Sequence, residues 1–153
     1  LAEQNICYAE IRFAPNLHTA GGLTMEETVQ AVLDGLDQGT RHTGVPIGLI
    51  LCAMRSQSPE LSVEVANLAV AFADRGVVGF DLAGDEAGNP PKKHLSAFQF
   101  IRSKNFNITL HAGEAFGVES IWQAVQICGS HRIGHGVRLV EDMMAQRSSR
   151  WAL

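Results

Sequence analysis

The sequence predicts an α/β fold in which about five parallel strands alternate with helices, and three observations predict it. Short β-branched or continuously apolar runs recur along the chain, as strands do. The stretches between them carry apolar residues at three- and four-residue spacing behind recognisable helix starts. Two of the runs, Ile108-Thr109-Leu110-His111-Ala112-Gly113-Glu114 and His131-Arg132-Ile133-Gly134-His135-Gly136, end abruptly in histidine, glycine and, in the first, a carboxylate. Strands alternating with helices imply a parallel sheet with right-handed crossovers, and the loops leaving its strand C-termini converge where ligands bind.

Taken in order, Ile6 to Phe13 alternates Tyr8, Glu10 and Arg12 with Cys7, Ala9, Ile11 and Phe13, a period of two that predicts a strand ended by Pro15. The charges Glu10 and Arg12 fit the inside of a small barrel, paired with charges from adjacent strands; solvated charges on an edge strand are the plainer reading. Thr24-Met25-Glu26-Glu27 is a capping box, so a helix follows with Val29, Val32, Leu33 and Leu36 as its stripe, ending near Gly44 and Pro46. Ile47 to Met54 is almost wholly apolar, like a strand buried on both faces. Ser58-Pro59-Glu60 starts a second helix whose stripe is Leu61, Val65, Leu68 and Phe72, with Gly76 placed for a left-handed stop. The strand Val77 to Leu82 runs into Ala83-Gly84-Asp85-Glu86; a short helix around Leu95, Phe98 and Ile101 follows, and a last one is predicted from Ser120 to Cys128.

Composition narrows the function classes. The 153 residues are 46% hydrophobic and 18% charged with a formal net charge of −4, which gives no electrostatic reason to expect nucleic acid or a membrane and suits small neutral partners. Cys7, Cys52 and Cys128 are odd in number and widely spaced, so they read as small core residues in a reducing compartment, with the cytoplasm as the expected location. No apolar run approaches the roughly 20 residues of a membrane span, and no basic-then-apolar leader is present. Leu1 to Asn5 reads as the end of a helix whose beginning lies ahead of the chain.

Nucleotide and hydrolase motifs are absent: neither GxGxxG nor GxxxxGK[ST] occurs, and there is no GxSxG. A metal hydrolase fits better, because imidazole is a good zinc ligand and Glu114, three residues after His111, can handle protons for an activated water. His135 lies between Gly134 and Gly136, which permit close backbone approach to a ligand, and Gly84 could offer its amide at the mouth of the sheet. Each has a plainer reading: a hydrogen-bonded structural histidine for His111, a turn residue for His135 and for Gly84. His18, His42 and His94 read as solvated and His131 as structural. Two architectures stay open at this point, a five-stranded doubly wound sheet and part of a (β/α)8 barrel, which typically takes about 250 residues.

Four segments then carry a resemblance: Tyr8-Ala9-Glu10-Ile11-Arg12-Phe13-Ala14-Pro15, Gly79-Phe80-Asp81-Leu82-Ala83-Gly84-Asp85-Glu86, Thr109-Leu110-His111-Ala112-Gly113-Glu114 and Arg132-Ile133-Gly134-His135-Gly136. In order and spacing the chain resembles the adenosine deaminase family of amidohydrolase-like barrels. The resemblance implies a (β/α)8 TIM barrel that hydrolyses the 6-amino group of adenosine or deoxyadenosine, giving inosine or deoxyinosine and ammonia, with one zinc ion at the strand C-termini. It further implies that His111 is a zinc ligand, Glu114 the acid that protonates purine N1, and His135 the group that orients or deprotonates the attacking water. Gly84 would meet purine N3 through its amide.

The family's HxH pair from the first strand and aspartate pair from the eighth have no counterpart here, so the chain matches the second through sixth strands. Residues 1–145 are expected to form a partial barrel domain and 146–153 an atypical tail, with most zinc ligands outside the chain and open barrel edges that invite association. The expected partners are a purine nucleoside and water. On this reading the chain alone is inactive; the alternatives are a non-catalytic nucleoside-binding or assembling remnant, and a deaminase of adenine or of a modified adenosine.

Overall fold

The computed structural model describes residues 1–141, so the expected tail 146–153 and the continuation of the helix expected near Glu141 lie outside the described residues. Five strands appear: β1 (Ala9–Phe13), β2 (Ile47–Met54), β3 (Val77–Ala83), β4 (Thr109–Ala112) and β5 (Arg132–His135). Helices α1 (Met25–Thr43), α2 (Pro59–Ala71), α3 (Leu95–Ser103) and α4 (Val118–Trp122) lie between them. Every strand pair is parallel. β1-β2-β3 and β4-β5 are joined by a bridge between Phe80 and Ile108, beside which the Phe80 amide donates to the Asn107 carbonyl at 2.9 Å. The spatial order therefore follows the chain order. A doubly wound sheet reverses its strand order at a switch point, and this one does not, so the arc is that of a barrel.

Helix boundaries sit where local chemistry puts them. Thr24 Oγ1 accepts from the Glu27 amide at 3.2 Å while Glu27 accepts from the Thr24 amide at 2.7 Å, which completes the capping box of α1. Ser58 Oγ accepts from the Leu61 amide at 3.2 Å behind Pro59, and Gly76 at φ 111° stops the short 3-10 turn that follows α2. The predicted helix from Ser120 to Cys128 is instead two pieces: α4 passes into a π-helical turn, Gln123–Ile127. There the Cys128 amide reaches back five residues to Gln123 O at 2.9 Å, and Ser130 reaches Ala124 O at 3.0 Å. The wider turn delivers the chain to β5.

The two faces of the arc differ in kind. On the outer face, Leu49, Leu51, Ala53, Phe80, Leu82, Leu110 and Ala112 pack against Val65, Leu68, Ala69, Phe98, Ile101, Ile121 and Ala124 of the helices. Phe80 and Phe98 meet edge to face at 5.5 Å. The inner face carries charge. Arg12 of β1 donates to Asp81 of β3 at 2.8 Å, and Arg132 of β5 reaches Glu10 of β1, so the first and last strands are tied across the concavity. The charges face inward as the β1 alternation predicts, but their partners stand on β3 and β5 and not on the adjacent strand β2.

Some expectations fail for identifiable reasons. β1 begins at Ala9, so Cys7 lies ahead of the sheet and is exposed, while Cys52 and Cys128 are buried. Ile11 is left 39% exposed at the edge of an open groove of about 530 Å³ that it shares with Phe13, His18, Leu23 and Val32. His18 and His42 are exposed and His131 is structural, accepting from the Ile108 amide at 3.1 Å.

His94 is the clearest correction, because it is 1% exposed rather than solvated. The 3-10 turn Pro91–His94 swings its ring inward, placing Nδ1 2.7 Å from Ser62 Oγ and Nε2 3.2 Å from the Arg55 carbonyl. A carbonyl only accepts, so Nε2 carries the proton and Nδ1 accepts from the Ser62 hydroxyl. Burial pushes the His94 pKa below its ordinary value, outweighing the bond to the Arg55 carbonyl that raises it. The unfolded chain therefore binds the proton first. Stability from this group is full above the unfolded value near 6.5 and is lost as pH falls toward the depressed folded value. Denaturant midpoints are expected to fall between pH 7.5 and 5.5, with a shallower fall in His94→Gln.

Candidate active site at the strand ends

Asp81 is the centre of the charged inner face and was not singled out from sequence. Its carboxylate is fully buried, and it accepts from Arg12 Nη1 at 2.8 Å, from the His111 amide at 3.2 Å and from the Leu82 amide at 2.7 Å. His111 Nδ1 stands 2.9 Å from Oδ2. Because the carboxylate only accepts, Nδ1 carries the hydrogen and the lone pair of His111 lies on Nε2, which Arg12 Nη1 faces from 3.5 Å. A carboxylate behind an imidazole is the arrangement that orients metal-binding histidines. Cys52 lies alongside, with Sγ 3.6 Å from Asp81, and burial together with that carboxylate raises its thiol pKa, so it is no nucleophile.

The sequence-predicted residues mostly converge. The His111 and His135 rings have centroids 5.2 Å apart, and His135 Nε2 lies 3.4 Å from Glu114 Oε2. His135 has φ 71°, a left-handed conformation that a non-glycine residue adopts at a cost, and it turns the ring back over the end of β4. Gly134 makes room beneath: a Cβ there would lie 3.4 Å from Arg12 Nη1 and 3.5 Å from the His111 backbone. Gly84 stands at the end of β3 with φ 98°, and the described hydrogen bonds do not link it to the other three.

Two further charges hold the end of β4 and went unread in the sequence. Glu86, 6% exposed, accepts from the amides of Gly113 at 2.6 Å, Glu114 at 3.0 Å, Ala115 at 2.7 Å and Phe116 at 2.8 Å. Burial alone would raise its pKa, but the amides of Phe116, Gly113 and Ala115 that donate to the carboxylate win, and it falls below the usual glutamate value. Arg55, also buried, donates to the carbonyls of Asn89 and His111. A buried charge must find partners, so an arginine closing the apolar run Ile47–Met54 was a readable signal.

The fit to zinc is partial. Among the described residues no three of His, Cys, Asp and Glu are grouped to hold a metal ion. A catalytic zinc has three protein ligands, and the Arg12 guanidinium lies 3.5 Å from His111 Nε2, where it opposes a cation. The residues present do not make a zinc centre by themselves.

The chain matches known proteins over most of its length. The adenosine deaminase family model matches residues 1–150. Adenosine deaminase 1 of Streptomyces coelicolor is 49% identical over 148 residues, covering 94% of this chain and 37% of that protein. Among solved structures, adenine deaminase from Arthrobacter aurescens superposes with a TM-score of 0.86 at 31% identity, covering 95% of this chain and 45% of its own. An amidohydrolase from Burkholderia ambifaria with bound Zn gives 0.87 at 25% identity, covering 92% and 39%. The chain thus spans about two fifths of the length of these relatives, in keeping with an open arc rather than a closed barrel. It belongs to the adenosine deaminase family.

Proposed function

We propose that the chain supplies the acid, the water-handling histidine and one metal ligand of an enzyme that hydrolyses the 6-amino group of adenosine or deoxyadenosine. The observation that carries this is the convergence of Glu114 on His135, 3.4 Å apart, next to a His111 whose lone pair Asp81 leaves on Nε2. In the protonated form Glu114 gives its proton to purine N1, which draws electron density from C6. Water then adds at C6 as His135 takes one of its protons. The C6–N bond breaks, the amine leaves as ammonia with the proton His135 holds, and the hydroxyl proton on C6 returns to Glu114. Glu114 is exposed at the strand ends, which suits an acid that must meet a small substrate. Gly84, at the same rim, would offer its amide to N3.

His111 offers zinc a single ligand, so the remaining ligands come from outside the chain. The two open edges of the arc, with Tyr8 and Ile11 exposed on one side and Val137 and Val140 on the other, receive the remaining barrel segments. Three free cysteines, two of them buried, support a cytoplasmic location.

The test is a chimaera in which these residues replace the matching 148 of the Streptomyces coelicolor relative. It is expected to form inosine from adenosine faster than it forms hypoxanthine from adenine or inosine from N6-methyladenosine, whose leaving group is methylamine. The Glu114→Gln form is expected to lose at least a hundredfold in kcat. A folded, zinc-loaded chimaera that deaminates adenosine equally well with and without Glu114 contradicts the proposal, and a preference for adenine moves the substrate class.

A further inference from the structure

We propose that Glu86 is the positioning residue of Glu114: its buried carboxylate gathers four consecutive amides, Gly113 to Phe116, and so sets the place from which Glu114 reaches His135. The role assigned to Glu114 rests on the function proposed above; the geometry does not. The segment after β4 has no strand partner beyond Ala112, so the strand ladder supplies no acceptors for its amides, and Glu86 does. Oε1 takes the Gly113 amide and Oε2 takes those of Glu114, Ala115 and Phe116, so both oxygens are needed. Successive amides converging on one anion form a nest, and here the anion is a side chain of the same protein.

Arg55 closes the grip from the other side. It donates to the His111 carbonyl, just ahead of the nest, and to the Asn89 carbonyl, just beyond Glu86. The loop leaving β3 thereby holds the loop leaving β4 by its backbone, and the Glu114 side chain is free to work because its main chain is not. Gly113, buried at φ 71° with Ile121 packed on it, fixes the first peptide of the segment.

Glu86→Gln keeps the size but turns one oxygen into an amide donor, so either Gly113 or the other three amides face a second donor. The readout is coupling between Glu114 and His135, observed in the 153-residue chain by the shift of the His135 ring resonances on Glu114→Gln. In the native background that substitution is expected to move the ring signals. With Glu86→Gln also present, the movement is expected to shrink at least threefold, while resonances of the packed Phe80 and Phe98 rings stay in place. Equal movement in both backgrounds overturns the proposal, since a residue that only stabilises the fold leaves the coupling intact. Should Glu86→Gln fail to fold, hydrogen exchange in the unsubstituted chain decides. Protection of the Gly113, Ala115 and Phe116 amides by at least a hundredfold supports the nest, and exchange at the rate of an open loop overturns it. Neither readout needs turnover, so the inference can fail while the deaminase reading stands, and the reverse.

Discussion

Asp81→Ala is expected to destabilise the chain by about 3 kcal/mol, among the largest effects of any substitution on the inner face. The carboxylate is fully buried and serves Arg12, the His111 ring and the amides of His111 and Leu82 at once. Its removal strands those donors, each worth roughly 1–3 kcal/mol when left unsatisfied and buried. The sum is discounted because Arg12 and His111 are partly exposed, and water can reach them. Asp81→Asn keeps one acceptor oxygen and the shape, so it is expected to cost less than half as much. Denaturant unfolding of both variants checks this; a loss under about 0.5 kcal/mol for the alanine form would mean that Asp81 is not the hub the geometry makes it. The site should suffer too, since His111 Nδ1 loses the acceptor that keeps Nε2 available.

Gly113→Ala is expected to cost a similar amount for a different reason. At φ 71° an alanine pays for a left-handed backbone, roughly 1 kcal/mol, before any contact is considered. Its Cβ would then fall 2.4 Å from Ile121 Cδ1 and 2.7 Å from Cγ1, and forcing a methyl into a packed site costs roughly 1–3 kcal/mol more. Gly136 supplies the control. It has φ 64° but nothing nearer than Ile133 Cγ2 at 3.5 Å, so Gly136→Ala should show the backbone part alone. Adding Ile121→Ala to Gly113→Ala should recover part of the contact cost, offset by the cavity it leaves, and none of the backbone cost. Equal losses for Gly113→Ala and Gly136→Ala would argue that Ile121 gives way freely.

The alternation of elements was legible because strand and helix periods differ, and Thr24, Ser58 and Gly76 mark their own boundaries through local hydrogen bonds and backbone conformation. His111, Glu114 and His135 stood out because polar groups break off apolar runs at strand ends. What stayed hidden depends on contacts between distant segments. Asp81 interrupts Phe80 and Leu82 in a buried strand, yet only the fold brings Arg12 and His111 to it. Glu86 looks like one more loop acid until four amides from residues 27 to 30 positions later close on it. His94 follows Lys92 and Lys93 and reads as surface; its burial comes from Ser62 and Arg55, on other elements. Whether the sheet was doubly wound or part of a barrel turned on strand order, which periodicity does not encode.

The most direct measurement is ammonia release from adenosine by the purified 153-residue chain supplied with zinc, compared with its Glu114→Gln form. A chain that contributes Glu114, His135 and a single zinc ligand should show no turnover above the variant's background. Turnover by the native chain that disappears in Glu114→Gln would contradict the assignment of the remaining metal ligands to segments outside it.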